Sequence, residues 1–269
     1  MQEEIECTLP PEIKYQLYET SVQCHSADIL FINREFKQAY DKAPLSLRED
    51  FCGTAIMACD WVCQSQEHLA FAIDIDKCPL EYGLSHHYPK LSSAQQSRMN
   101  YVLGNVLDNY SFKTDVVVAF NFSYFVFKKR KELLDYFKKV RKSLNEQGAF
   151  FIDLFGGTEA FAPLEEETEH DGHSYYWDCE GYNPLTAECQ YYIHFKTHHD
   201  GIKHKNAFSY SWRMWTVAEL CEILEDAGFS KTITFWEGED GKGSGDGVFY
   251  NTKQAENCES WVTYILALN

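Results

Sequence analysis

Leu45-Ser46-Leu47-Arg48-Glu49-Asp50-Phe51-Cys52-Gly53-Thr54-Ala55-Ile56-Met57-Ala58 is the stretch from which the fold is read. Leu45 and Leu47 alternate with polar residues and lead into the carboxylates Glu49 and Asp50. A tight Phe-Cys-Gly-Thr-Ala turn follows, and an apolar segment through Trp61 and Val62 reads as a helix. Strand, small-residue turn and helix, in that order, bring backbone N–H groups close to a nucleotide-like ligand. Alone the segment is a weak sign, because a dinucleotide-binding turn has three glycines and this one has only Gly53.

The sequel adds weight. Leu69-Ala70-Phe71-Ala72-Ile73-Asp74-Ile75-Asp76 is a second apolar run ending in an acid, and Asp74 lies 21 residues beyond Gly53. An acid at the end of the second strand, about 20 residues after the turn, suits ribose hydroxyls. Continuous apolar runs at 116–120 and 150–152 read as strands buried on both faces. Strands alternating with helices predict a parallel, doubly wound sheet over 45–153. Glu49, Asp74, Asn105, Asn121 and Asp153 all fall at predicted strand ends, where such sheets bind ligands.

On these residues the chain resembles class I S-adenosylmethionine-dependent methyltransferases. The segment 47–55 is similar to their first motif, with Glu49 at the acid position and Gly53 as the central glycine. Phe51 and Ala55 stand where the family has its outer glycines. Asp74, followed by Ile75, matches the ribose-binding acid. Gly104-Asn105-Val106 resembles the adenine-contacting third-strand motif, and 115–122 and 144–153 resemble the fourth and fifth strands. The resemblance implies a seven-stranded Rossmann-like sheet and S-adenosylmethionine as cofactor. It implies cofactor contacts from Tyr18, Glu49, Phe51, Gly53, Asp74, Ile75, Asn105, Val106 and Asn121.

Composition bounds the rest. The 269 residues suffice for one α/β domain with an inserted or appended subdomain. No run approaches a membrane span, and the first residues lack the features of a signal peptide, so a soluble cytoplasmic protein is expected. The ten cysteines form no C-x-x-C pair and no zinc-spaced Cys/His cluster; reduced, mostly buried thiols and no metal are expected. Cys59 and Cys63, one helical turn apart, read as core-facing. The net charge of −17 repels phosphate backbones. The basic cluster 128–131, resumed at Lys138, Lys139, Arg141 and Lys142, lies on a predicted helix and reads as its solvated face. No nucleic-acid partner and no membrane are expected.

Residues 1–44 read as a helical lead-in, with Pro11 at a first helical position and a second helix over about 27–40. In methyltransferases of this class such helices cover the cofactor, which makes Tyr18 and Glu19 lid candidates; aromatic packing against the sheet is the plainer reading. Residues 45–157 and 215–269 read as the cofactor-binding domain. Residues 158–214 read as an inserted, β-rich cover for the substrate, with three aromatic strands after an acidic loop at 165–169. Thr216-Val217-Ala218-Glu219 is a capping box that opens a helix. Segments 233–236 and 261–266 would form a closing antiparallel pair, and 238–247 between them reads as a loop.

Methyl transfer from a sulfonium needs alignment, exclusion of water and sometimes a proton acceptor, so no triad is expected. None is present, and there is no P-loop or G-x-S-x-G. Asn121-Phe122-Ser123-Tyr124 departs from the Asn/Asp-Pro-Pro-aromatic form that the family uses on planar amino groups, which counts against those substrates. Tyr124, Arg213 and Trp215 are the candidates for substrate contact, Tyr124 and Arg213 being assigned catalytic roles. His170, His173 and His194 are weaker candidates for a base. The expected function is methylation of a small molecule, at nitrogen before oxygen. The alternatives are a degenerate fold acting as a non-catalytic binding or scaffold protein, and a nucleotide-dependent oxidoreductase. Oligomeric state is not legible.

Overall fold

The computed structural model describes residues 4–239, 241 and 245–269. Glu4–Glu6 is a short strand, β1. Helix α1 spans Pro11–Val22 and α2 spans His25–Tyr40, so the lead-in is helical apart from β1.

The first βαβ unit follows as β2 (Ser46–Asp50), α3 (Ile56–Gln64) and β3 (Leu69–Asp74). Next come α4 (Lys77–His86), the short α5 (Ser93–Gln96), β4 (Met99–Leu103) and β5 (Thr114–Ala119). Helix α6 (Arg130–Ser143) runs directly into β6 (Leu144–Gly156). Four antiparallel strands then form β7 (Leu164–His170), β8 (His173–Asn183), β9 (Glu188–Thr197) and β10 (Lys203–Arg213). The chain closes with α7 (Val217–Asp226), β11 (Lys231–Glu239), β12 (Gly245–Asn251) and β13 (Trp261–Leu268).

The main sheet has the order β12-β11-β13-β6-β5-β2-β3-β4, parallel from β6 to β4. Strands β11 and β13 form the expected antiparallel pair, and β13 pairs antiparallel with β6. Strand order reverses between β2 and β5, and the cleft beyond their carboxyl ends is where ligands of such sheets bind. Both faces are buried, which explains the continuous apolar run in β5. Val117 and Ala119 join the core under α6 and α7, while Val116 and Val118 join the core under α2 and α3.

Five expectations are corrected. The sheet has eight strands, not seven, because β12 pairs along β11, where Phe249 packs on Phe31 and Tyr264. The loop expected at 238–247 is therefore strand at both ends; its residues 240 and 242–244 lie outside the described residues. The acidic run 165–169 is not a loop but the exposed edge strand β7, whose backbone is satisfied by β8 and whose charges discourage further pairing. Strand β1 leaves the lead-in to pair in parallel with β10, giving a second sheet β1-β10-β9-β8-β7. Cys63 is exposed, unlike buried Cys59; all ten cysteines are free thiols. Among the described residues no helix is long and apolar enough to cross a membrane.

Candidate active site

The turn between β2 and α3 keeps the shape of a glycine-rich loop without its glycines. Phe51, Gly53 and Ala55 have φ of 56°, 55° and 60°, all left-handed. For a non-glycine residue this conformation costs about 1–2 kcal/mol, so two strained residues mark a backbone path held by its surroundings. The Phe51 ring packs near Phe127 and Tyr136, with ring centroids 6.1 and 5.8 Å away. A Cβ built on Gly53 meets nothing within 4 Å, so the turn faces open space there. Behind it, a Cβ on Gly83 of α4 would come 2.0 Å from the Thr54 carbonyl oxygen, so this helix backbone lies directly against the turn. The sequence reading did not find Gly83, because its role depends on the docking of α4.

Asp74 braces the turn. Its Oδ2 accepts the Gly53 N–H at 2.8 Å and its Oδ1 accepts the Asp76 N–H at 2.8 Å. Partial burial raises its pKa, opposed by those two N–H groups. Ile75 beside it is 69 % exposed, an apolar surface at the strand end. Asn105 makes a tight turn by accepting the Leu107 N–H at 2.9 Å, and the Val106 carbonyl accepts from buried Arg48 at 3.1 Å.

Glu49 is buried at the start of α3, where its Oε2 accepts the Ala58 N–H at 3.0 Å. Burial pushes its carboxyl up to about 8, although the Ala58 N–H pulls the other way. It lines a cavity of about 20 Å³ with Gln23, His25, Asp28, Phe51 and Asn121, enough for about one water molecule. Burial also raises Asp28, to about 6, against the pull of the Tyr264 hydroxyl that donates to it at 3.0 Å. The Gln23 Oε1 is buried without a hydrogen-bond partner among the described residues. Gln23, His25 and Asp28 were not identified from sequence, since the bend between α1 and α2 carries no motif. The braced turn, the strand-end carboxylate Asp74 and the acids Glu49 and Asp28 are chemically suited to the hydroxyl and ammonium groups of an S-adenosylmethionine molecule.

Asn121 also has a left-handed φ of 56° and lines this cavity together with a larger one of about 330 Å³. Its N–H and that of Phe122 donate to Asp153 at 2.8 and 3.0 Å. Burial pushes the Asp153 carboxyl up to about 7, with those N–H groups opposing. The larger cavity lies between α1, the ends of β5 and β6, and the second sheet. Its walls include Tyr18, Phe155, Glu166, Tyr175, Trp177, Tyr210 and Trp212. Burial pushes the Tyr18 phenol up to about 12, offset in part by the Tyr210 hydroxyl.

Both residues assigned catalytic roles lie elsewhere. Tyr124 is fully buried in the core and its hydroxyl donates to the Asp153 carbonyl at 2.7 Å. It follows a left-handed bend at Asn121 and Phe122, which turns the next residues inward. Arg213 donates to the Lys128 carbonyl and to Glu219, both at 3.2 Å, and its guanidinium lies 3.7 Å from the Trp215 ring centroid. Neither they nor Trp215 line the large cavity. The three histidines also lie away from it: His170 and His173 stack together, and His173 Nε2 lies 2.8 Å from Ser21 Oγ. His194 accepts the Asn206 N–H at Nδ1, which leaves Nε2 to donate to Asp178 at 3.1 Å. Glu165 completes this group, but Lys203 Nζ already stands 2.6 Å from it, so the cluster is a closed ion-pair network.

No family model and no curated relative matches this chain. Solved structures do. An S-adenosylmethionine-dependent methyltransferase from Clostridium acetobutylicum aligns with a TM-score of 0.67 and 15 % identity over 95 % of this chain and 97 % of its own. The amino pentose methyltransferase CalS10 from Micromonospora echinaspora, with S-adenosylmethionine bound, aligns at 0.66 and 10 % identity over 98 % and 99 %. The sugar N-methyltransferase KedS8 from Streptoalloteichus aligns at 0.63 and 12 % identity over 98 % and 96 %. Over 95–98 % of its length, the chain has the Rossmann-like fold of the class I S-adenosylmethionine-dependent methyltransferases.

Proposed function

We propose that the protein is an S-adenosylmethionine-dependent methyltransferase acting on a small molecule, at nitrogen before oxygen. The observation that carries this is the retained left-handed turn, braced by Asp74 and opening through Asn121 onto an aromatic cavity. When bound, S-adenosylmethionine supplies an electrophilic methyl group. The chain holds it through Asp74 at the ribose and through Glu49 and Asp28 at the amino-acid end. Gly53 leaves the turn room for its approach, and Ile75 and Val106 flank the base. Asn121, at the wall common to both cavities, marks where acceptor and methyl group meet.

Residues 45–157 and 215–269 act as the cofactor-binding part, and 158–214, joined by β1, as the acceptor cover. Lid helix α1 supplies Tyr18 to the cavity and excludes water. A proton lost by the acceptor leaves toward Glu166 and Glu167 at the mouth. Transfer to nitrogen is favoured because the described cavity wall holds carboxylates suited to an amine and no histidine or lysine to ionise a hydroxyl. The sugar N-methyltransferase among the similar structures points the same way. The net charge of −17 disfavours nucleic acid as the acceptor, and ten free thiols fit a reducing cytoplasm.

Calorimetric titration with S-adenosylhomocysteine, beside the Asp74→Ala variant, tests the reading. Micromolar binding that the variant loses supports it. A folded protein that fails to bind at millimolar concentration overturns it in favour of a non-catalytic binding protein.

A further inference from the structure

We infer that the acceptor cavity selects a cationic amine without carboxylate or phosphate groups, and that Glu166 is the residue that reads the charge. This identifies the substrate class of the site proposed above and rests on that reading.

Successive side chains of a strand point to opposite faces. Glu165 and Glu167 are engaged within the protein, with Lys203 Nζ at 2.6 Å and the Tyr176 hydroxyl at 2.6 Å respectively, although Glu167 also borders the cavity. Glu166 between them is opposite Trp177 in the β7–β8 register and lines the cavity. Among the described residues it makes no ion pair. One carboxylate on this strand is therefore left for a ligand.

The wall behind it is aromatic. Trp177, Tyr210 and Trp212 form a continuous surface, with centroid separations of 6.1 Å for Trp177–Tyr210 and for Trp177–Trp212, and 4.4 Å for Tyr210–Trp212. Ring faces attract cations by about 0.5–2 kcal/mol each, depending on exposure. Among the described residues, those lining the cavity include no lysine, arginine or histidine. The basic groups at the end of β10 are occupied elsewhere: Lys128 by Glu188 at 2.7 Å, Arg213 by Glu219. A carboxylate or phosphate entering the cavity would lose its hydration, meet Glu166 and find no cation. A protonated amine would meet both the carboxylate and the rings.

The test is calorimetry on the full chain, with and without S-adenosylhomocysteine. Phenethylamine, 2-phenylethanol and 3-phenylpropanoate present one ring with three charges at neutral pH, and phenyl phosphate adds the phosphate case. The amine is expected to bind about tenfold tighter than the alcohol, with the two anions weaker still. Exposed Glu166 tolerates Glu166→Gln, which should bring the amine down to the level of the alcohol while S-adenosylhomocysteine affinity stays unchanged. Equal binding of all four probes, preference for an anion, no amine binding at millimolar concentration, or an amine advantage that survives Glu166→Gln would each overturn the inference. Loss of the methyltransferase reading shows separately, as absent S-adenosylhomocysteine binding in the same titrations.

Discussion

Glu19 of α1 and His87 at the end of α4 meet with Oε1 and Nε2 2.6 Å apart, both side chains more than nine-tenths buried. The same carboxylate oxygen accepts from the Thr54 hydroxyl in the β2–α3 turn. One side chain thus ties the helix that covers the cleft to the turn beneath it. Breaking such a buried, charge-assisted pair is expected to cost about 2–4 kcal/mol. Glu19→Ala should lower the denaturant midpoint, speed proteolysis within α1 and weaken S-adenosylhomocysteine binding. Unchanged affinity would show that the tie serves stability alone.

The strained turn gives two opposite expectations. Gly53→Ala forces a side chain into a left-handed conformation at a cost of about 1 kcal/mol of stability. Its methyl group enters the open space that the proposed function gives to the cofactor, and on that reading binding should fall by about tenfold or more. Ala55→Gly removes a buried methyl worth about 0.8 kcal/mol but relieves about 1–2 kcal/mol of strain. Its stability should therefore match or exceed that of the parent. Urea unfolding of both variants checks the pair.

Three of the raised carboxyls shape the pH dependence of the ligand-free protein near neutrality. Glu49, Asp153 and Asp28 titrate in the folded state near 8, 7 and 6, above their ordinary values of 4.5, 3.8 and 3.8. The folded state therefore holds more protons than the unfolded chain across this window, and stability falls as pH rises through it. The melting temperature should be higher near pH 5 than near pH 8. A ligand ammonium beside Glu49 and Asp28 favours their ionised forms. Binding of S-adenosylhomocysteine near pH 6 should thus release protons, seen as a buffer-dependent enthalpy.

Tyr124→Phe separates the core role of this residue from the catalytic one expected from sequence. Losing its hydrogen bond to the Asp153 carbonyl should cost about 1 kcal/mol of stability. Affinity for cofactor and acceptor should not change. A large loss of acceptor binding in a folded variant would restore Tyr124 to the site.

By itself the sequence determined the parts whose signal is local. The apolar runs at 116–120 and 150–152, the turn at 51–55 and the acid at 74 were enough for the parallel sheet and its order of elements. They were legible because strand burial and turn shape depend on neighbours in the chain. Even there, the left-handed backbone of Phe51 and Ala55 was hidden, since side-chain identity argued against it and tertiary contacts hold it: Phe127 and Tyr136 at Phe51, Asp74 at Gly53 and α4 at Thr54.

Tertiary structure alone decided the acceptor side. Arg213 and Tyr124 looked like ligand residues because arginine and tyrosine are chemically suited to the task. Their orientation was set by the register of β10 against β9 and by the bend at Asn121. The registers of β10 and β8 against β9 turned Trp212 and Trp177 inward, and the pairing of β7 with β8 brought Glu166 and Glu167, but not Glu165, to the cavity. Alternation along a strand gives two faces of equal standing, and only contact with the rest of the molecule determines which is inside.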